Sequence, residues 1–464
     1  MNATLLAIAA YVAVQFAIGI WVSRQIATQS DYINAGRQLG PLVGAFSVFA
    51  TWFGAEAIVG AGGSVYAEGL NGATIDPFGY AAALVIAGLV MAMPLWRRGY
   101  LTFGDFFRDR YSPAVERLAV LLILPGPIIW AAAQIRGFGV VVGSVSDVSL
   151  ATGMIVGTLV IVAYTAIGGL LADAYTDLLQ GLAIVLGLIV IAVLVATEVG
   201  GVGPGLATVP PERLAYASGD TSALALAEQW LIPICGTMVS IELISRMLAT
   251  RSALTARNAC IVGGTMYLLV GLIPVFLGLI GPVLVPNLAN PEEIVSKLAA
   301  AYLPPVLFVV FIGAIVSAIL STVDTALLAA GSMLSHNAAR SVMAGLGESA
   351  RLLATRLTVA ALGVTACIIA LGSESIHDLV ETASAFGSAG LIVVALFGLF
   401  TRLGGPRSAL ATLVTGMGVW SADTLMGFTE TPYVVALAAA TAVYLLVAIV
   451  LNDSATDQRP HTPA

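Results

Sequence analysis

The sequence predicts an all-α polytopic membrane protein, and three observations carry that prediction: composition, the length of the apolar runs, and the placement of the basic residues. Hydrophobic residues make up 59% of the 464 and charged residues only 10%, whereas a soluble chain carries about 25% charged residues. The mean hydropathy is +0.99. Water cannot accommodate so much apolar surface around one core, but lipid can. A helical span needs roughly 20 apolar residues, and runs of that length recur along the chain. They are continuously apolar rather than alternating, which excludes a transmembrane β-barrel. No basic stripe points to nucleic acid.

In chain order the expected spans are about 3–23, 41–65, 75–96, 116–143, 149–168, 175–197, 227–249, 256–283, 302–335, 355–372, 380–400, 407–425 and 432–451, about thirteen in all. The first is long enough to span and lacks the basic leader of a cleaved signal. Most connections are short. The 200–227 connection is rich in Gly and Pro, the 286–301 connection has the makings of a short surface helix, and the 452–464 tail is polar and expected to be disordered. Placing the N-terminus outside puts 16 of the 19 Lys and Arg in cytoplasmic loops, against Arg213 and Lys297 outside and Arg136 within a span. One missed helix would scramble every later loop, so the asymmetry supports the span count together with an N-outside, C-inside orientation. Cys235, Cys260 and Cys367 lie in apolar segments at no metal-binding spacing, which fits buried apolar roles.

Two spans are interrupted. The second reads Ala-Thr-Trp-Phe-Gly-Ala-Glu-Ala-Ile-Val-Gly-Ala-Gly-Gly over residues 50–63, with a charge and four glycines at membrane depth. The seventh carries Pro233 and Gly236. These spans are five apart, so they hold matching places in two five-helix halves, and an odd number makes the halves antiparallel. Paired broken helices in inverted halves mark a midplane substrate site, where unwound backbone frees carbonyls for a cation. The competing explanation is that the glycines only admit close helix packing; it serves equally well for either break alone, and the pair in register favours the site. A secondary transporter is the function this predicts.

Four motifs then carry a family resemblance. They are Ser30-Asp-Tyr-Ile-Asn-Ala-Gly-Arg-Gln-Leu-Gly-Pro41, Gly168-Gly-Leu-Leu-Ala-Asp-Ala-Tyr-Thr-Asp-Leu-Leu-Gln180, Arg246-Met-Leu-Ala-Thr-Arg-Ser252 and Ser317-Ala-Ile-Leu-Ser-Thr-Val-Asp-Thr325. Together they resemble the sodium:solute symporter family, in order and at matching topological places from residue 30 to about 340. The resemblance implies a single transport domain with one extra N-terminal helix (3–23), inverted repeats at 41–197 and 227–400, broken first and sixth core helices, and two peripheral helices (407–451). It implies sodium-coupled uptake of a small solute by alternating access, in a plasma membrane (a bacterial inner membrane) and as a monomer. The main sodium site would fall on the carbonyls of Ala50, Phe53 and Ala318 and the hydroxyls of Ser321 and Thr322. Carbonyl and hydroxyl oxygens suit a hard cation without excess charge. Asp177, Asp324 and Thr325 resemble positions of a second cation site, and Asp177 equally reads as a helix cap at the cytoplasmic mouth.

Other buried polar residues remain to be placed. A charge at the membrane centre costs about 3 kcal/mol or more, so each needs a reason. Arg136 and Gln134 lie mid-span near Trp130. Arg136 either grips a solute carboxylate bidentately or pairs with a buried acid such as Glu56. Trp52 and Glu56 flank the first break. Asp76 and Phe78 either face the entrance or open an ordinary helix at Asp76-Pro77. These make Trp52, Glu56, Asp76, Phe78, Gln134 and Arg136 the candidate solute contacts, and Arg136 tilts the expected solute toward an amino acid or carboxylate. Glu242 has no assigned role. An enzyme is not expected: the three histidines, His336, His377 and His461, avoid the spans, and an aspartate-dependent membrane enzyme on Asp177 and Asp324 would not need two broken helices. Proton coupling through the carboxylates is the rival to sodium within transport.

Overall fold

The computed structural model describes residues 37–165, 170–216, 222–338 and 347–453, with a few single positions besides. The expected 3–23 span and most of the polar tail lie outside them. Among the described residues the chain is helical, and its one bridge pairs Leu39 with Thr250. That bridge ties the start of the first core helix to the end of the sixth: Leu39 N donates to Ala249 O and Arg251 N to Leu39 O, both at 3.1 Å.

The first core span is α1 (Pro41–Trp52), a five-residue wide turn (Glu56–Gly60) and α2 (Ala61–Glu68). The second covers residues 74–97, with α3 (Tyr80–Ala87) at its centre. After α4 (Phe103–Arg110), the third span is α5 (Pro113–Ile123) running into α6 (Pro125–Ser144). The fourth and fifth are α7 (Leu150–Thr165) and α8 (Leu170–Glu198). The sixth is α9 (Ala223–Val239) with α10 (Ile241–Ala249), bent by 46° between them. The seventh is α11 (Ala253–Leu284), followed by the short surface helix α12 (Ile294–Tyr302), and the eighth is α13 (Pro305–Met333). The ninth is α14 (Glu348–Leu371), and the tenth is α15 (Ile376–Ala385) with α16 (Ser388–Phe400). Two peripheral helices close the chain, α17 (Pro406–Met426) and α18 (Pro432–Val450).

Helix starts follow local chemistry. Thr102 and Asp105 form a reciprocal capping box on α4, and Ser112, Ser222, Ser240, Ser252 and Ser375 each accept from an amide in the turn they open, satisfying donors that a helix leaves orphaned. Seven described helices are long and apolar enough to cross a membrane, nine if each bent pair counts once, with shorter apolar helices at Pro41–Trp52 and Leu150–Ala163.

Inverted symmetry appears in the packing. The first core span packs through α1 against the seventh (α11) and the fifth (α8). The sixth packs through α9 against the second (α3) and the tenth (α15 and α16). Exchanging the two halves maps one set of contacts onto the other. The third and eighth spans, α6 and α13, lie against each other at the centre.

Two features depart from the expected breaks. The sixth core span is helical through Pro233, and its break falls at Ser240, whose φ −68° and ψ 137° are extended and whose hydroxyl caps α10. Pro233 packs instead where the second span has Gly79, at which a Cβ would come within 2.5 Å of the proline ring. The tenth core span is broken as well, by 42°, at Gly387 with φ +70°, a left-handed conformation that glycine adopts freely. The tail also begins in an ordered way: Asp453 Oδ2 accepts from Gly405 N, Ser408 N and Ser408 Oγ, capping the start of α17.

Candidate functional site

The site is built around the break in the first core span. Phe53 leaves the helix at φ −97° and ψ 63°. Beyond it, Gly54 N donates to Glu56 Oε1 at 3.3 Å and Ala55 N donates to Gln134 Oε1 at 2.8 Å. In an uninterrupted helix those two amides would serve the carbonyls of Ala50 and Thr51. Glu56 and Gln134, which are themselves joined through Gln134 Nε2 and Glu56 Oε2, thus take the donors away and leave carbonyl oxygen at the break. Gly137 lets α6 approach closely enough for this: a Cβ there would lie 2.2 Å from that of Ala55.

Facing the end of α1 is α13. Ala318, Ser321 and Thr322 are spaced i, i+3 and i+4, so they share one helical face, and all three are buried. Thr322 Oγ1 is buried without a hydrogen-bond partner. An orphaned buried hydroxyl, on a helix that packs against the broken one, is an oxygen a hard cation can use. Thr325, one turn on, has a different neighbour: its Oγ1 accepts from Arg246 Nη2 at 2.8 Å. The side chain of Asp177 lies outside the described residues.

A central cavity opens next to these helices. Its walls come from α1 (Thr51, Trp52), α5 and α6 (Ile123, Gly126, Pro127, Trp130), the sixth-span break (Gly236, Thr237, Val239, Ser240, Ile241, Glu242), α13 (Thr322) and the tenth-span break (Ala383, Ser384, Phe386, Ser388, Leu391). Two indoles dominate one side, Trp52 and Trp130, 6.1 Å apart at 53°, with Tyr80 edge-on to Trp130 at 5.5 Å. Trp52 Nε1 is buried and has no hydrogen-bond partner. Among the described residues, Glu242, in the first turn of α10, is the one charged side chain in the lining. No lysine or arginine among the described residues contributes to it.

Of the six expected solute contacts, the structure brings Trp52 to this cavity. Glu56 and Gln134 lie behind the break and hold it open. Asp76 is buried on the second span, where Tyr267 donates to its Oδ1 at 2.9 Å. Phe78 meets Tyr216 edge-on at 6.1 Å. Arg136 points away from the cavity. Its Nε lies 3.4 Å from Glu292 Oε2, Nη1 donates to Ser373 O at 2.8 Å, and Nη2 donates to Glu374 O. Its acid is therefore Glu292, just ahead of α12, rather than Glu56. Glu292 also accepts from Ile376 N at 2.7 Å. Burial holds the Glu292 carboxyl above the usual carboxylate range, opposed by the Ile376 amide and by Arg136.

Sequence reasoning left Glu242, Ser240 and Phe386 unassigned. For the first two a signal was present, since a serine with an acid in the turn that follows it is a helix-start signal, and a helix start in mid-span is a break.

A model of the sodium:solute symporter family matches residues 32–416. The high-affinity choline transporter 1 of Drosophila melanogaster is 28% identical over 383 residues, covering 78% of this chain and 61% of that protein's length. The human high affinity choline transporter 1 is 26% identical over 398 residues, covering 81% of this chain and 69% of that protein. The high-affinity proline transporter PutP of Bacillus subtilis is 26% identical over 430 residues, covering 89% of this chain and 90% of that one. Among solved structures, a sodium-coupled sialic acid symporter in a substrate-bound outward-open state superposes with a TM-score of 0.84 at 15% identity, covering 99% of this chain and 100% of that one. That likeness concerns the fold alone.

Proposed function

This chain belongs to the sodium:solute symporter family, and from that premise we propose that it couples sodium to the uptake of a small solute bearing a positively charged nitrogen: a quaternary ammonium such as choline, or a zwitterion such as proline. It is an integral membrane transporter and not an enzyme. One observation carries the choice of solute: the central cavity combines two indoles with the carboxylate of Glu242 and, among the described residues, has no basic side chain. Indole faces attract ammonium groups by their quadrupole, with about 0.5–2 kcal/mol per contact, and a carboxylate completes the charge balance. Trp52 Nε1 is a free donor for a hydroxyl or carboxylate oxygen on the same solute. The amino-acid reading survives through its ammonium end. The carboxylate-anchor reading of Arg136 lacks support, because that guanidinium is engaged by Glu292 and two carbonyls.

Sodium would be held by the carbonyls of Ala50, Phe53 and Ala318 and the hydroxyls of Ser321 and Thr322. In support, those residues are buried, on α13 and at the end of α1 where it breaks, and Thr322 Oγ1 is orphaned. The same reading has a monomer in a plasma membrane, a bacterial inner membrane, with the arginine-rich loops cytoplasmic.

Uptake of labelled choline and proline into proteoliposomes, with pH clamped, tests this. An inward sodium gradient is expected to stimulate uptake of at least one of them. Glu242→Gln is expected to raise the solute KM by about 10-fold or more, the scale of a charge-assisted contact of ~1.5–3 kcal/mol. Uptake driven by a pH gradient alone would favour proton coupling instead, and a solute KM unchanged in Glu242→Gln would remove the ammonium reading.

A further inference from the structure

Most hydroxyls that line the central cavity already have partners. Thr51 donates to Ser47 O at 2.6 Å, Ser384 Oγ is bonded to the Tyr80 hydroxyl at 2.8 Å, Ser388 Oγ donates to Ala385 O at 3.1 Å, and Ser240 caps α10. Besides Thr322, assigned to sodium above, two donors are left over in the lining: Trp52 Nε1 and Thr237 Oγ1. Their residues are 3% and 2% exposed, and neither atom has a hydrogen-bond partner.

The two hold matching places. Trp52 is the last residue of α1 and Thr237 lies in the last turn of α9, each at the break of its span. Each inverted half therefore presents one unused donor to the same space. A threonine on a helix ordinarily bonds back to a carbonyl of the preceding turn, and Thr237 does not.

Buried donors call for acceptors. An indole N–H can only donate, and an ionised carboxylate only accepts, through two oxygens. Choline has a single oxygen, its hydroxyl brings a further donor, and its trimethylammonium group has no acceptor. The charges point the same way. Glu242 brings a negative charge to the cavity, and sodium at Thr322, in the same lining, would bring a positive one. A zwitterion leaves that sum at zero. Choline adds a positive charge with nothing opposite it, and a buried charge without compensation is costly.

We propose that Trp52 Nε1 and Thr237 Oγ1 hold a carboxylate of the solute while the indole faces and Glu242 hold its ammonium end, so that the solute is a small zwitterion rather than a quaternary ammonium alcohol and Thr237 sets the preference; this rests on the sodium and ammonium readings proposed above.

Two matched pairs of probes read this in sodium-dependent equilibrium binding to the purified full chain: glycine betaine against choline, which share a trimethylammonium group, and proline against prolinamide, which share a ring nitrogen. In at least one pair the zwitterion is expected to bind about 10-fold or more tightly than its partner, the scale of one hydrogen bond to a charged group. Thr237→Val keeps the shape and deletes the donor. It is expected to weaken that zwitterion by about 10-fold and to leave the carboxylate-free partner unchanged, and Thr237→Ser is expected to restore the difference. A smaller difference in both pairs overturns the proposal in the wild type, without help from any variant. A Thr237→Val protein that loses affinity for both members of a pair equally overturns the role of Thr237. Binding of none of the four probes overturns the parent ammonium reading, and this one with it.

Discussion

At the scale of single residues, the site depends on where hydrogen-bond donors are withheld. Thr322 Oγ1 has no partner at 2% exposure, although a buried hydroxyl ordinarily bonds back to its own helix. Thr51, Thr158 and Thr265 do so here, each to the carbonyl four residues earlier. Thr322→Val keeps the shape and deletes the oxygen. It is expected to raise the sodium concentration for half-maximal transport by about 10-fold or more, on the scale of one contact to a charged group. Solute affinity at saturating sodium is expected to stay near the wild-type value. A sodium titration checks both, and an unchanged titration would take Thr322 out of the sodium shell. Arg136 teaches the opposite lesson. From the sequence, a mid-span arginine reads equally as a solute anchor or as half of a structural pair. Its partner, Glu292, is 156 positions away along the chain, and nothing local announces it.

At the scale of elements, close approach decides whether the break can exist. The amide that Gln134 withdraws from α1 is reachable because α6 lies almost on top of Ala55, with Gly137 at the crossing. Gly137→Val would force the two helices apart, and overpacking of this kind costs about 1–3 kcal/mol. The expected result is a lower melting temperature of the detergent-solubilised protein together with loss of transport. Gly418→Ala on α17, where a Cβ would meet nothing within 4 Å, is the control and is expected to keep or slightly raise the melting temperature, since alanine is the better helix former. Equal effects of the two substitutions would mean that the crossing is not critical. The sixth-span break shows how a strong local signal can mislead. Pro233 is the residue that ordinarily interrupts a helix, yet α9 continues through it, and the chain turns seven residues later at Ser240, where a side chain is available to cap the new helix.

At the scale of the whole molecule, the two halves meet around one cavity and one end of the bundle is latched. Arg136 on α6 joins Glu292 ahead of α12 and the carbonyls between α14 and α15, so three distant segments share one guanidinium. Removing one partner of such a buried pair leaves the other uncompensated, at roughly 3–5 kcal/mol. Arg136→Met is expected to lower the melting temperature sharply, and Glu292→Gln in the same chain to recover part of the loss. A double-mutant cycle measures the coupling; strictly additive losses would show that the pair does not act as a unit.

What the sequence determined by itself is what depends on composition and on order along the chain: helical spans from the apolar runs, two antiparallel halves from breaks five spans apart, and the family from four motifs. These features are local or additive, so each survives without knowledge of the partner. The surroundings of individual side chains were decided only by the tertiary structure. Glu56 and Gln134 maintain the break, Arg136 latches an end, Glu242 and Phe386 line the cavity, and Arg246 lies beside Thr325 where a second cation was expected. A buried charge is assigned by what compensates it, and in an inverted-repeat bundle that partner comes from a helix far along the chain.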